Sequence, residues 1–171
     1  MTECEKIIFD TLDSWNIPYK VYNHTARDTV EEKASLDREL GISARHCKNI
    51  FLTDRKGSCF YLLVMPFEKT FRTAEVSKEL GTSRLSFASP ERLLEKLRCT
   101  PGNLSSLSLI FDKEEEIGYA LDRELLSCEE LCFHPNIDTT TVTIKTEDFL
   151  KKYLPKIHRT PAIVTVTDKS E

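Results

Sequence analysis

Two hydrophobic spacings alternate along the chain, one typical of helices and the other of strands. Near the N-terminus, Ile8, Leu12 and Trp15 recur at intervals of four and three, which places them on one face of a helix. Residues 59–65 are apolar without a break, as in a strand that is buried on both faces. Over the whole chain, these spacings predict helices at residues 3–15, 28–40, 74–80, 91–97 and 147–154. They predict strands at residues 19–22, 47–53, 58–65, 107–111, 119–122, 130–133, 140–144 and 162–166.

Turn and capping residues set several boundaries. Residues 54–57, Asp-Arg-Lys-Gly, predict a hairpin turn between the second and third strands, with Gly57 able to adopt a positive φ. Because the third strand is apolar on both faces, we expect it to lie in the centre of its sheet. The residues expected to cap helix ends are Asp28, Gly41, Thr73, Ser89 and Thr146. No linker or repeat interrupts the segments, so we expect one α/β domain with a mixed sheet over residues 1–171.

The net charge argues against a broad electrostatic grip on nucleic acid. The chain of 171 residues has 24 Lys and Arg against 28 Asp and Glu, a net charge of −4. That balance disfavours charge-driven binding along a duplex or an anionic membrane, but it allows a small site that holds only the end of a nucleic acid. The longest apolar stretch, residues 59–67, is about half a membrane span, and the first residues lack a signal-peptide pattern. We therefore expect a cytoplasmic protein with no membrane partner.

The spacing of the glycines excludes two kinds of nucleotide site. The five glycines stand at positions 41, 57, 81, 102 and 118, and no two are closer than sixteen positions. A dinucleotide-binding fingerprint and a P-loop both need glycines within about six residues of each other. Neither loop can be built from this sequence, and we expect no cofactor.

The cysteines and histidines form no recognisable metal or nucleophile motif. We expect the six cysteines to be reduced thiols; the tightest pair, Cys128 and Cys132, would lie about 13 Å apart on a strand. That distance is too long for a disulfide or a shared zinc ion, so we expect no metal site. The four histidines are scattered, and nothing resembles Gly-x-Ser-x-Gly. The sequence alone does not exclude a Ser-His-Asp triad.

Lys48 has an unexpected position in the second predicted strand. On a regular strand it shares a face with Ile50 and Leu52, while Asn49 shares the other face with Phe51. A lysine that continues an apolar row either extends to solvent at the end of the strand or points into a cleft. Both interpretations are open on this fact alone.

A second group of polar residues lies where the strand at residues 130–133 stops. Pro135 ends this strand and leaves His134 and Asn136 at its rim. An ordinary strand end explains this pattern as well as a binding site does. Likewise, the turn at residues 100–103 could present backbone N–H groups to a ligand, but a turn alone indicates nothing.

Four motifs in a fixed order make these positions more informative. The motifs are Cys-Lys-Asn-Ile-Phe-Leu at 47–52, Arg-Leu-Ser-Phe-Ala-Ser at 84–89, Thr-Pro-Gly-Asn at 100–103 and Phe-His-Pro-Asn at 133–136. Together they closely resemble the YbaK-type aminoacyl-tRNA editing family, and within it the free-standing prolyl-tRNA editing branch. The resemblance extends from about residue 24 to residue 154, and His24 also agrees with the family pattern.

The resemblance implies a fold, a reaction and partners. The family fold is a mixed, mostly antiparallel, barrel-like sheet surrounded by helices. Its members hydrolyse the ester that joins a wrong amino acid to the tRNA for proline. The expected partner is the acceptor end of that tRNA, and prolyl-tRNA synthetase is a candidate second partner.

The resemblance also implies the site residues. Lys48, Asn49 and His134 are expected to be catalytic and to line the pocket, with the turn at Gly102 as part of its wall. The residues expected to bind the substrate are Gly102, Asn103, Phe133, Pro135 and Asn136.

A basic rim near the second helix provides a candidate tRNA contact. Arg45 and His46 precede Lys48, and Arg27, Lys33 and Arg38 lie on or beside the helix. We expect Arg45 and His46 to bind tRNA. Because the same helix also carries many carboxylates, a solvated helix face is the competing interpretation.

The ester chemistry explains why so few catalytic groups are expected. An aminoacyl ester beside a ribose hydroxyl is already activated, so a held water and donors aimed at the developing oxyanion are sufficient. In the family, one branch removes alanine and another, with a Gly-x-x-x-Pro loop, removes cysteine. Leu131 stands where that loop has glycine, which favours alanine. The alternatives are a cysteinyl- or seryl-tRNA deacylase, or a module that binds aminoacyl-tRNA or an amino acid without hydrolysis.

Overall fold

A computed structural model of the protein describes residues 1–167 as helices packed around two sheets. The α-helices are α1 (Glu3–Ser14), α2 (Val30–Leu40), α3 (Thr73–Glu79), α4 (Pro90–Leu97), α5 (Thr146–Asp148) and α6 (Leu154–Lys156). The strands are β1 (Lys20–Asn23), β2 (Cys47–Asp54), β3 (Phe60–Pro66), β4 (Leu85–Phe87), β5 (Ile117–Asp122), β6 (Glu130–Phe133), β7 (Thr140–Lys145) and β8 (Ala162–Val164). A π-helical segment, Phe149–Tyr153, connects α5 to α6.

The strands form two separate sheets. One has the order β1-β7-β6 and is antiparallel throughout, and the other has the order β4-β2-β3-β5-β8. In the larger sheet β4, β2 and β3 are antiparallel, whereas β3, β5 and β8 run parallel. The expected mixed, mostly antiparallel α/β architecture is confirmed, as is the central position of β3. The barrel-like description holds only loosely, because the strands divide between two sheets and do not close into one.

The two sheets meet at the backbone of Arg45. Its N–H donates to the carbonyl of Glu130 over 2.9 Å, and its carbonyl accepts from the N–H of Cys132 over 2.9 Å. This is an isolated parallel bridge between Arg45 and Leu131. It holds the segment just before β2 beside β6.

Two apolar clusters cover the two faces of the larger sheet. Phe51 belongs to a cluster that contains side chains of both sheets and of α1. Its neighbours Ile50 and Leu52 belong to a second cluster with Val76 of α3 on the opposite face. The alternation follows from the pleat of a strand, in which successive side chains point to opposite faces.

Phe149 links the two sheets within the larger cluster. The ring is fully buried, and its centroid lies 4.9 Å from that of Phe133 on β6 and 6.4 Å from that of Tyr119 on β5. Tyr153, one turn along the same helix, adds a stacked contact at 5.4 Å. Aromatic pairs at these separations add to the burial of the rings themselves.

Several predicted boundaries are confirmed. The hairpin of β2 and β3 turns at Gly57, which has a φ of 67°. Gly41 ends α2 with a φ of 71°, and the Ser89 hydroxyl accepts from the N–H of Arg92 at the start of α4. Turn and capping chemistry is local, so the sequence specifies it directly.

The other predicted caps are wrong. Thr29, and not Asp28, caps α2, because Thr29 and Glu32 form a reciprocal capping box. Thr73 and Thr146 are the first residues of their helices, and neither helix has a side-chain cap.

Three segments also differ from the predicted elements. Residues 107–111 are part of a 3-10 helix, Ser106–Phe111, because the side chains of Ser105 and Ser108 cap each other's backbone. β4 was missed, since three residues give too short a pattern. The last helix continues past Pro155, which occupies the first turn of α6.

Phe149→Ala should destabilise the protein strongly. Removing a fully buried ring at the junction of two sheets leaves a cavity, and we expect a loss of about 3–5 kcal/mol in the free energy of unfolding. Phe87→Ala is the matched control, because this ring is 66% exposed, and it should cost about 1 kcal/mol or less. Chemical denaturation measures both. Equal losses would contradict the assigned role of Phe149.

Candidate active site

A cavity of about 180 Å³ opens where the start of β2, the turn at residues 100–103 and the end of β6 converge. Lys48, Asn49, Gly102 and His134 all line it. The structure therefore brings together residues from three segments that are far apart in the sequence. The bridge at Arg45 explains this convergence, because it lies close in sequence to Lys48 on one strand and to His134 on the other.

The Lys48 ammonium is held at the wall of this cavity. Its Nζ donates to the backbone carbonyl of Lys69 over 2.5 Å and lies 6.0 Å from the centroid of the Phe67 ring. An ammonium has three N–H donors, so this bond leaves two for a ligand. Lys48 thus points into a cleft, which decides between the two interpretations that the sequence left open.

A buried ion pair fixes the carbonyl that holds Lys48. The Nζ of Lys69 donates to Asp122 Oδ2 over 3.0 Å and to the carbonyl of Val166 over 2.9 Å. Lys69 is 6% exposed and Asp122 is 1% exposed. These bonds anchor the Lys69 side chain, and the Lys69 N–H also donates to the carbonyl of Pro66 over 3.2 Å.

Asn49 offers an unsatisfied polar atom beside the cavity. Its Oδ1 is buried and has no hydrogen-bond partner among residues 1–167. Buried polar atoms in proteins are nearly always hydrogen-bonded, and exceptions are often found at sites of function. The Asn49 side chain is thus available to hydrogen-bond a ligand or water in the cavity.

His134 is a neutral imidazole in this environment. Its Nδ1 lies 2.9 Å from the carbonyl of Thr140, and since a carbonyl can only accept, Nδ1 carries the proton. Nε2 is then the acceptor nitrogen of the ring. Burial lowers the pKa of His134 to about 4, although the bond to Thr140 acts in the opposite direction.

Of the two predicted site residues in the turn at residues 100–103, Gly102 lines the cavity and Asn103 does not. Gly102 has a φ of 91°, a conformation that favours glycine, and it lines the cavity. Asn103 instead closes the turn, with its Nδ2 donating to Thr100 Oγ1 over 2.6 Å. Asn103 is not among the residues that line the cavity.

The remaining predicted substrate-binding residues lie behind the cavity wall. Phe133 is 3% exposed and packs in the larger cluster, and Pro135 is buried. Asn136 braces the loop, because its Nδ2 donates to the carbonyls of Leu97 and Arg98, each over 3.1 Å. In the structure these three residues support the end of β6 rather than line the 180 Å³ cavity.

Arg45 and His46 line a neighbouring cavity, and both are engaged in ion pairs. The Arg45 guanidinium contacts Glu68 and lies 2.8 Å from Glu124. His46 Nε2 lies 2.7 Å from Asp37 Oδ1, and burial lowers the pKa of His46 even though Asp37 opposes the shift. Neither side chain is a free cation, which weakens the basic rim expected from the sequence.

The structure gives Lys33 a more specific position than the basic rim expected from the sequence. It extends from α2 over the ring of Phe67, with its Nζ 4.6 Å from the ring centroid. Both residues line the 180 Å³ cavity and its neighbour. The helical register could have revealed this role, since Lys33 shares a face with Val30, Ala34 and Asp37.

Residues 1–167 contain neither a membrane-spanning helix nor a cluster of metal ligands. No helix in this part of the chain combines the length and the apolar character needed to cross a membrane. No group of three His, Cys, Asp or Glu side chains there is arranged to hold a metal ion.

Comparison with known proteins identifies the class of this enzyme. Residues 24–152 match the family model of the aminoacyl-tRNA editing domain, and the chain belongs to this family. It is an aminoacyl-tRNA deacylase, a hydrolase, as the resemblance implied.

Two named relatives are similar to this chain over most of its length. The chain is 29% identical over 150 residues to the prolyl-tRNA editing protein ProX of Acetoanaerobium sticklandii, covering 87% of this chain and 90% of the relative. It is 30% identical over 165 residues to prolyl-tRNA synthetase associated domain-containing protein 1 of Danio rerio, covering 95% and 88%.

A solved structure described as a candidate trans-editing enzyme for prolyl tRNA synthetase shares the fold. Its TM-score is 0.74 at 14% identity, with 99% of each chain covered.

His134 should make the protein less stable in acid. In the unfolded chain the imidazole gains a proton near its ordinary pKa of 6.5, whereas in the folded protein it resists protonation down to about 4. Stability should therefore fall as the pH decreases through this interval, by roughly 2 kcal/mol at about pH 4.5. Denaturation at pH 7 and pH 4.5 measures the change. In His134→Gln this part of the pH dependence should be absent, and an equally steep loss there would contradict the assignment.

Lys69→Met should destabilise the fold by about 3–5 kcal/mol, because it leaves the Asp122 carboxylate buried without its partner. Thermal and chemical denaturation measure the loss. Lys56→Met, at an exposed position of the hairpin turn, is the matched control and should lie within about 0.5 kcal/mol of the parent. Adding Asp122→Leu to Lys69→Met should restore part of the lost stability. A single variant as stable as the parent would show that the pair is not needed.

Proposed function

We propose that this protein is a trans-editing deacylase that removes alanine from mischarged tRNA for proline. The observation that carries the proposal is the 180 Å³ cavity, which brings together Lys48, Asn49 and His134. The relatives named for prolyl-tRNA editing and prolyl-tRNA synthetase support the choice of tRNA. The partner is the acceptor end of the tRNA, and the synthetase is a candidate second partner.

The reaction needs no nucleophile from the protein. A water molecule attacks the ester carbonyl, a C–O bond forms to this water, and the carbonyl oxygen becomes an oxyanion. The intermediate then collapses, the bond to the ribose oxygen breaks, and the proton released by the water ends on that oxygen. The products are the free amino acid and the uncharged tRNA. Because the ester is already activated, positioning and charge stabilisation supply the rate enhancement.

Lys48 has the charge that this step requires. The two N–H donors left after its bond to the Lys69 carbonyl are available to the oxyanion or to the adjacent phosphate. A positive charge next to the developing negative charge stabilises the transition state more than the neutral ester.

Asn49 and His134 are suited to holding the water or the amino group. The buried Oδ1 of Asn49 is an acceptor without a partner among residues 1–167. The neutral His134 offers Nε2 as a second acceptor, since Nδ1 donates to Thr140. A water that donates to either group is oriented toward the ester, because its lone pair then faces the opposite way.

The size of the cavity favours a small amino acid. Pockets for ordinary small ligands occupy roughly 300–1,000 Å³, and this cavity has about 180 Å³. A synthetase discriminates poorly against an amino acid smaller than its own, because one methylene contributes only about 1–3 kcal/mol. A second site that admits alanine and rejects proline corrects that error. Leu131 does not act by filling this cavity, since it is fully buried in the larger cluster.

The decisive experiment is deacylation of proline tRNA charged in turn with alanine, cysteine, serine and proline. We expect hydrolysis of the alanyl ester to be fastest and the prolyl ester to be spared. Lys48→Ala should reduce kcat by about 100-fold or more, because it removes the charge beside the oxyanion. Lys56→Ala, at an exposed position of the hairpin turn, is the matched control and should retain full activity.

The other outcomes of this experiment are equally informative. Faster release of cysteine or serine would assign the protein to a different substrate within the same reaction. Tight binding of alanyl-tRNA without hydrolysis would favour a binding module. Full activity of Lys48→Ala would remove this residue from the mechanism.

A further inference from the structure

The loop that carries His134 is hydrogen-bonded to the segment that carries Gly102. Gly102, Leu104 and His134 all line the 180 Å³ cavity. Ser105, which directly follows Leu104, donates from its Oγ to the backbone carbonyl of His134 over 2.5 Å. One hydrogen bond thus joins two parts of the cavity wall that stand 29 residues apart in the chain.

Asn136 makes a second connection, on the other side of the same turn. Its Nδ2 donates to the two carbonyls at the end of α4, each over 3.1 Å. Its Oδ1 accepts from the Ser108 hydroxyl over 2.5 Å. The turn at residues 100–103 is therefore attached to the loop after β6 both before and after Gly102.

The two serines can make these bonds because each hydroxyl is both an acceptor and a donor. Ser105 and Ser108 form the capping box at the start of the 3-10 helix Ser106–Phe111, in which each Oγ accepts from a backbone N–H. A hydroxyl that accepts still has its own proton to donate. The proton of Ser105 is donated to His134, and that of Ser108 is donated to Asn136.

The three side chains act on the cavity from behind its wall. Ser105 and Ser108 are both 0% exposed, and Asn136 adopts a left-handed φ of 59°, which asparagine tolerates better than most residues. The wall itself is formed by their partners and by residues beside them in the chain, including His134 and Gly102. Any effect of the three on the reaction is therefore indirect.

The position of His134 relative to the Gly102 turn matters to an ester hydrolase in two ways. An acceptor that orients water must be placed closely, since a displacement of about 1 Å can cost on the order of 100-fold in rate. The space between the two also limits the acyl group, because discrimination by size depends on a cavity that does not expand.

We propose that Ser105, Ser108 and Asn136, the clasp residues, are positioning residues of the deacylase. They set the separation between His134 and the Gly102 turn, and with it the largest acyl group that the cavity admits. The limit on acyl size, with alanine accepted and proline rejected, rests on the proposed function. The placement of His134 does not.

Ser108→Ala tests the clasp by kinetics. It should lower kcat for alanyl-tRNA about tenfold and change KM by less than about twofold, because a displaced group weakens the transition state more than binding. The ratio of kcat/KM for the alanyl ester to that for the prolyl ester should also fall about tenfold, since a wider cavity admits the larger group.

Ser106→Ala is the matched control. Ser106 lies in the same 3-10 helix and is also 0% exposed, but its hydroxyl is 2.8 Å from the hydroxyl of Tyr119 and not bonded to the His134 loop. Both variants lose one buried hydrogen bond, so thermal denaturation should show comparable losses. Only Ser108→Ala should change kcat and the ester ratio. Equal kinetics for the two variants would overturn the proposal.

Asn136→Asp tests the side of the clasp that faces α4. The substitution keeps an oxygen that accepts from Ser108, but it replaces the amide that donates to the α4 carbonyls by an atom that cannot donate to them. We expect the same fall in kcat and in the ester ratio as for Ser108→Ala. Parent values of both would overturn this side of the clasp.

The titration of His134, followed by nuclear magnetic resonance, needs no substrate. Burial lowers the pKa of His134 to about 4, and the positive charge of Lys33 and the neighbouring His24 act in the same direction. The bond to the Thr140 carbonyl and the Asp138 carboxylate oppose the shift. The pKa of this ring therefore reports how far it is withdrawn from water.

Loss of the clasp should expose the ring and raise this pKa toward its ordinary value of about 6.5. We expect the rise in Ser105→Ala and in Ser108→Ala, and the parent value in Ser106→Ala. The parent value in both clasp variants would overturn the proposal, even in a protein that deacylates alanyl-tRNA. A raised pKa in a protein that hydrolyses none of the charged tRNAs would support the clasp, while the proposed function fails.

Discussion

The site depends on one backbone bridge between two sheets. The backbone N–H and carbonyl of Arg45 form hydrogen bonds with Glu130 and Cys132, which hold the segment before β2 against β6. Lys48 follows the bridge on one strand and His134 follows it on the other. Because both strands are already fixed by pairing within their own sheets, the bridge converts two independent surfaces into one cleft with a defined separation. The candidate site is thus framed in part by a contact between main-chain atoms.

Polar groups around the cleft are held by hydrogen bonds and by an ion pair. Lys69 and Asp122 form a buried pair that presents a carbonyl to Lys48, and the carbonyl of Thr140 selects the tautomer of His134. These contacts pre-organise an ammonium and a neutral imidazole before substrate arrives. Pre-organised dipoles and charges stabilise a transition state without the reorganisation that water would require. The chemistry expected of an editing enzyme follows from this arrangement, since an activated ester needs orientation and charge more than it needs a nucleophile.

The two cavities of the cleft differ in size and in the residues that line them. Lys48, Asn49 and His134 line the smaller cavity, apolar side chains of α2 and several charged side chains line the larger one, and Lys33 and Phe67 line both. The pairing of Arg45 and His46 changes the view of tRNA contact that composition alone suggested. A small number of placed cations, rather than a basic surface, is consistent with a net charge of −4 and with a ligand gripped only at its end.

The sequence by itself determined the features that depend on neighbours in the chain. The hairpin at Gly57, the cap at Ser89 and the central, doubly apolar β3 could be predicted, because turn chemistry and side-chain period are local properties. The motifs also identified Lys48, Asn49, Gly102 and His134 as one group, although only by resemblance.

Tertiary structure decided the rest. It divided the strands into two sheets, engaged Asn136 and Arg45 in internal contacts, and brought Lys33 between the cavities. These outcomes depend on which distant segments pack together, and such contacts are set by the free energy of the whole fold rather than by any local pattern.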